Sequence, residues 1–240
     1  MNRSQPGNFD TTHWSIVFAA GKQASPDSQL ALAELCEKYW YPPYVYVRRR
    51  IPDAHEAQDL TQAFFTQLLE KNIVADADPQ RGRFRTFLLA ALNHFLSNEW
   101  NKARTQKRGG GKPLVSLDLF DGERRYESLP ADDLTPERIF DRQWVLTLLK
   151  QVLDRLHAEF IASGKLQQFE HLEASITVVQ PRMSYAELAE KTDLSVGAVK
   201  VSLHRLRNRY RELLRIEIAQ TLADPGGVDD EIRRLFETFA

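Results

Sequence analysis

The sequence predicts an all-α protein: two helical domains joined by a flexible acidic linker, the second containing a helix-turn-helix. Three observations lead there. Apolar residues recur at helical spacing through each long segment. Breaks rich in Gly and Pro separate those segments, the longest running from 106 to 136. Met183 to Arg211 (MSYAELAEKTDLSVGAVKVSLHRLRNRYR) holds two helical stretches around a tight turn.

Its 240 residues, 42% of them hydrophobic, suffice for one large or two small cores. The net charge of -1 hides a segregation. Arg81 to Lys112 carries eight basic residues against Glu99, whereas Pro113 to Pro136 carries six acids against Arg124 and Arg125. A polyanion would therefore be held locally, not by the whole surface. Cys36 is alone, which excludes an intrachain disulfide and suits a reducing compartment. Neither a signal-peptide layout nor a membrane-length apolar run is present, so a cytoplasmic location is expected.

In chain order, residues 1 to 10 are polar, and His13 to Ala20 predicts a short helix stopped by Gly21. Pro26-Asp27-Ser28 starts a longer helix with Leu30, Leu32, Leu35, Tyr39 and Trp40 on its apolar face, interrupted or kinked at Pro42-Pro43. After Pro52 comes an acidic helix start, then a stripe of Ala57, Leu60, Phe64, Leu68 and Leu69. The other faces, with Asp59, Gln62, Ala63 and Thr66, suit either a protein partner or plain solvation. Asn72 to Gly82 is a loop by composition. Arg83 to Arg104 is one long helix with Phe84, Phe87, Leu88, Ala91, Leu92, Phe95 and Leu96 in its core stripe. Its opposite face offers Asn93, His94, Asn98, Asn101, Lys102 and Arg104, a mixture of amides and cations suited to phosphates and exposed bases. The core is the preferred place for most of its aromatics, Phe87, Phe95 and Trp100 among them.

The segment from 106 to 136 is read as a flexible linker, with a short extended piece at Leu114 to Leu117. Thr135-Pro136-Glu137 then opens a helix to about Gly164, capped by Thr135 or Asp133. Gln167 to Val179 gives another short helix. At 224–227, Asp-Pro-Gly-Gly sets off a last helix with Val228, Ile232, Leu235, Phe236 and Phe239 on one face. That stripe is expected to pack on the second domain, with helix-in-groove docking of a regulator as the alternative.

Within Met183 to Arg211, a helix from Tyr185 to Lys191 leads through Thr192-Asp193-Leu194 to a second helix, which the Ser195 hydroxyl can cap. Leu188, Ala189, Leu194, Val199, Leu203 and Leu206 form the shared core, with the small Ala189 allowing a close crossing. Outward lie Lys200, His204, Arg205, Arg207, Arg209 and Arg211, a face that attracts a phosphate backbone. A solvated basic helix in a bundle is the bland alternative. No Gly-rich phosphate loop, metal-spaced Cys/His set or Gly-x-Ser-x-Gly turn occurs, and the six histidines are scattered. The chain is therefore not expected to be an enzyme, and no cofactor is expected.

Three stretches carry a resemblance. Asp59-Leu60-Thr61-Gln62-Ala63-Phe64 is similar to a D-L-T-Q-E-x-F core-binding motif, Phe84 to Lys107 to a promoter-melting helix, and Val196 to Arg205 to V-G-T-V-K-S-R-L-H-R. Together, over residues 28 to 214, the chain resembles the extracytoplasmic-function (ECF) group of bacterial RNA polymerase sigma factors, in the sigma-70 family. Ala63 stands where that group usually has Glu, His94 where it has Asn, and Val201-Ser202 where it has Ser-Arg.

The resemblance implies a sigma factor that binds core RNA polymerase, recognises the -10 and -35 elements of promoter DNA and promotes transcription initiation. Residues 1–105 would bind polymerase and the -10 element, 106–136 would be the linker, 137–214 would bind the -35 element, and 215–240 would be a C-terminal extension. Carried over by position, Asp59, Gln62 and Thr66 would meet the polymerase. The loop Asp76 to Arg83 with Asn93, His94, Asn98, Lys102 and Arg104 would hold the -10 strand and capture a flipped base. Lys200, Ser202, His204, Arg205 and Arg209 would serve the -35 element. An anti-sigma or other regulatory protein is a possible further partner; a membrane is not. The alternative function is a stand-alone helix-turn-helix regulator with an N-terminal sensing or dimerisation domain.

Overall fold

The computed structural model describes residues 13, 17, 25–70, 83–103, 117–130, 134–176, 183–222 and 224–239. Its named elements are all helical. They are α1 (Pro26–Tyr39), α2 (Tyr41–Arg50), α3 (Ala54–Glu70), α4 (Phe84–Ala103), α5 (Leu119–Glu127), α6 (Pro136–Ala162), α7 (Leu166–Leu172), α8 (Tyr185–Thr192), α9 (Val196–Gln220) and α10 (Val228–Phe236), with short 3-10 turns at Glu173–Ser175, Pro225–Gly227 and Glu237–Phe239. The one extended pairing among the described residues is an antiparallel bridge between Arg83 and Leu222. The residues group into two compact units, one up to Thr147 together with Ala219 onward, the other Leu148–Ile218. Both boundaries fall inside helices, α6 and α9.

In the first unit the core gathers around α2. Proline is tolerated in a helix's first turn, where its missing N–H would have no partner anyway, and Pro42 sits there in α2. The Pro42-Pro43 pair thus starts a helix after a break at Trp40. Tyr41 to Val47 are buried without interruption, so α2 is packed on every side. Tyr39 stacks on Trp144 of α6 at 4.5 Å, Phe140 lies 6.0 Å from Trp144, and Phe84 of α4 closes the cluster at 5.9 Å. Offset and edge-on pairs of this kind add to the burial of large rings. His13 is buried against Tyr39 and Phe84, and burial lowers its pKa to about 3, so it is neutral at physiological pH. Val17 is buried too; the remainder of the expected helix His13 to Ala20 lies outside the described residues.

On α3 the buried stripe is Ala57, Thr61, Phe64, Phe65 and Leu68, with Leu60 and Leu69 only half-buried. Thr61 can take a core position because its hydroxyl donates to the Ala57 carbonyl at 2.8 Å. On α4, Phe84, Leu88, Leu92, Phe95 and Leu96 of the expected stripe are buried, Phe87 and Ala91 are half-buried, and Trp100 is 45% exposed.

Two differences from the sequence reading are larger. Within the segment read as a flexible linker, α5 is a docked helix. Asp118 caps it by accepting from the Asp121 N–H, and Glu123 accepts from the Arg48 guanidinium at 3.0–3.1 Å and from the Tyr44 hydroxyl. Arg125 covers the Tyr41 ring at 3.5 Å, and Arg48 covers Tyr126 at 4.8 Å. Cation-π pairing and charge-assisted hydrogen bonds thus fix a segment whose composition alone reads as solvated. Leu114 and Val115 lie outside the described residues.

The second difference is the C-terminal helix, expected to pack on the second domain, which groups with the first unit. Its buried face is Val228, Glu231 and Leu235, while Phe236 and Phe239 are exposed. Arg85 and Arg83 draw the buried Glu231 inward, at 3.0 Å and 2.5 Å. Apolar Val228 and Leu235 share that face with Glu231, whose carboxyl is pushed up by burial, an effect partly offset by Arg85.

The second unit holds the rest of α6, then α7, α8 and most of α9. Thr135 accepts from the Arg138 N–H at 3.3 Å at the start of α6, and Leu148, Val152 and Leu156 are buried along its later turns. Phe169 of α7 lies 5.2 Å from Phe160 and 5.4 Å from His157. Thr177 to Val179, expected to continue that short helix, lie outside the described residues.

Candidate nucleic-acid interface

The segment expected to be a helix-turn-helix, α8 through the start of α9, is built by local signals. Ser184 accepts from the Glu187 N–H at 3.2 Å while Glu187 accepts from the Ser184 N–H at 2.6 Å, a capping box at the start of α8. The sequence reading missed it, although Ser-x-x-Glu is its signal. The same contact holds the Glu187 carboxyl below the usual carboxylate range. Asp193 follows in the left-handed region (φ 52°, ψ 39°), a conformation Asp tolerates better than most residues, and it reverses the chain. Ser195 then accepts from the Ala198 N–H at 3.2 Å and opens α9. Leu188, Val199, Leu203 and Leu206 are buried, which fixes the outward face of α9 by elimination.

The residues expected at the -35 element divide into two groups. Lys200, His204 and Arg205 are exposed. The Lys200 ammonium lies 5.4 Å from the centre of the Tyr185 ring, and His204 Nε2 is 2.9 Å from the Asn208 amide nitrogen. Ser202 and Arg209 point elsewhere. The Ser202 hydroxyl accepts from Gln168 Nε2 of α7 at 3.2 Å. Arg209 donates through Nε and Nη2 to the two oxygens of Glu159 at 2.9 and 2.7 Å, and through Nη1 to Glu212 at 2.6 Å. That bidentate geometry holds the Glu159 carboxyl below the usual carboxylate range and pushes the Arg209 guanidinium up. Arg207 likewise donates twice to the Ser175 carbonyl, at 3.2 and 2.7 Å. Two arginines of the basic face thus brace α9 within its own unit.

In the first unit, the residues expected at the -10 element divide in the same way. His94 is exposed and its Nδ1 lies 3.3 Å from Asn98 Nδ2. Asn93 is held: its Oδ1 accepts from the Tyr46 hydroxyl at 2.7 Å and from Arg50 Nη1 at 3.0 Å. Glu137 joins the cluster, accepting from Tyr46 at 3.0 Å and from Arg50 Nη2 at 2.8 Å. Arg85 donates to Asp141 and Glu231. The Lys102 side chain, Arg104 and the loop up to residue 82 lie outside the described residues. On α3, Asp59 and Ala63 are exposed and Gln62 and Thr66 half-buried, so these four share the side of the helix away from Phe64 and Leu68.

Cys36 is buried and burial pushes its thiol up, so it is not a nucleophile at neutral pH. Among the described residues no three His, Cys, Asp or Glu side chains gather as a metal site needs, and no helix is long and apolar enough to cross a membrane.

The chain is similar to the ECF RNA polymerase sigma factor SigE of Mycolicibacterium smegmatis, with 25% identity over 212 residues, 88% of this chain and 71% of that relative. No family model and no solved structure matches it. The similarity supports the resemblance to the ECF group.

Proposed function

We propose that this chain, as a relative of the ECF sigma factors, binds core RNA polymerase and directs it to promoters. One observation carries the reading. Similarity to a named sigma factor extends over most of the chain, including a capped helix-turn-helix whose outward face is basic. Asp59, Gln62 and Thr66 would face the polymerase from α3. His94, Asn98, Lys102 and Arg104, with the loop before α4, would hold the -10 strand, and Lys200, His204 and Arg205 would enter the major groove at the -35 element. Asn93, Ser202 and Arg209, occupied as they are, serve as positioning residues. Two weak readers on one chain reinforce each other, since binding by the first raises the effective concentration of the second. The chain performs no covalent chemistry; it supplies recognition and helps open the duplex.

The test is transcription by purified full-length chain with core polymerase on a library of promoter templates. Promoter-dependent transcripts, co-elution with core, and loss of co-elution in Asp59→Arg/Gln62→Ala with the fold intact are expected. Absence of both transcripts and co-elution overturns the proposal, and specific duplex binding without core would point to a stand-alone regulator.

A further inference from the structure

On α9 the outward stripe is Gly197, Lys200, Val201, His204, Arg205 and Asn208, all exposed. Since successive residues turn by about 100°, Val201 lies near the middle of that stripe, opposite the buried Val199, Leu203, Leu206 and Tyr210. It is 49% exposed. Valine is a poor local choice there. Its branched side chain loses rotamer freedom in a helix, and about half of it is left in water.

The neighbours narrow what it can do. Ser202, the next residue, is turned to Gln168, so no hydroxyl reaches out beside it. Lys200 and Arg205 flank it with positive charge. One turn earlier, a Cβ built on Gly197 would meet only Ser195 Oγ at 3.9 Å, so nothing inside the chain demands glycine and the helix surface is left low there. A single apolar side chain between cations is too small for an apolar protein partner to dock on. It does match a polyanion that offers one methyl group between hydrogen-bonding edges.

We propose that Val201 is a specificity-determining residue that reads the 5-methyl group of a thymine in the major groove of the upstream promoter element. Lys200 and Arg205 set the register on phosphates or guanine edges, and Val201 selects thymine between them, because the methyl is the one apolar feature of a major-groove base edge. The inference rests on the sigma-factor reading of α9.

The test begins with holoenzyme, the full chain plus core polymerase, and a promoter selected from a library randomised over the upstream element. Each thymine of that element is then replaced singly by deoxyuridine, which deletes the methyl and keeps the hydrogen-bonding edge. One position is expected to lower open-complex formation about fourfold, the worth of one buried methyl. In Val201→Ala, whose fold is checked by thermal melting and whose shorter side chain reaches the methyl less well, that position is expected to lose most of its sensitivity to the substitution. Deoxyuridine without effect at every position overturns the inference, as does equal sensitivity in Val201→Ala, and both leave the sigma-factor reading standing. No promoter-dependent transcript from any library member overturns that reading and takes this inference with it.

Discussion

The polar faces of α4 and α9 have similar composition, amides and histidines among cations, yet the fold uses them differently. Around α4, Asn93 is tied to Tyr46 and Arg50, and Arg85 is shared between Asp141 and Glu231. Much of that polar surface is therefore spent on closing the first unit. On α9 the inward-turned residues, Ser202, Arg207 and Arg209, lie towards the flanks, and the middle of the stripe stays open. Residue type says what a side chain could bind, whereas the internal partner says whether it is free to.

The comparison can be broken at its strongest contact. Glu231 is 2% exposed between two arginines, of which Arg85 would keep Asp141 as a partner and Arg83 is partly exposed. Glu231→Ala should lower the stability of the first unit by about 2 kcal/mol, the worth of its charge-assisted hydrogen bonds, read by urea unfolding, with no change expected in α9. Arg205→Glu tests the opposite case. Losing one groove contact costs about 1–3 kcal/mol, so promoter-dependent transcription should fall at least about fivefold while the melting temperature stays put. A drop in stability instead would show that Arg205 is braced like Arg209.

Smaller effects sharpen the picture. Arg209→Ala should cost about 1 kcal/mol of stability in the second unit, measured by denaturant unfolding, and a loss of promoter binding beyond that would make Arg209 a direct contact. Smallest is a pH dependence. Arg209 holds Glu159 below its ordinary carboxyl value of 4.5, so the folded state binds that proton less readily than the unfolded chain. The contribution is present above that value and is lost as pH falls through the depressed one. Acid unfolding of Glu159→Gln should accordingly show less stability lost over that range than the parent.

Where local chemistry decides the structure, the sequence was readable. Ser195 opening α9 and Thr135 opening α6 follow from side chains bonding nearby backbone, and the turn at Asp193 from a left-handed residue whose N–H donates to the Ala189 carbonyl. The apolar spacing located α1, α3, α4 and α6 for the same reason. Long-range pairing was harder. Gly122 looks like a helix breaker in a loose acidic tract, yet a Cβ there would come within 2.5 Å of the Trp40 ring, so the glycine is what lets α5 dock. Glu231 follows Asp229 and Asp230 directly, and its partners Arg83 and Arg85 are far away in sequence. At the candidate site, periodicity identified which residues share a face. It could not show that Gln168 claims Ser202 or that Glu159 claims Arg209.

The antiparallel bridge between Arg83 and Leu222, with the Phe84 N–H donating to the Thr221 carbonyl at 2.9 Å, bears on synthesis of the chain. The second unit is one continuous stretch, Leu148–Ile218, and can begin folding as soon as it leaves the ribosome. The first unit cannot finish in that order. The start of α4 pairs with residues made after the whole second unit, so a contact of the unit begun first is made last.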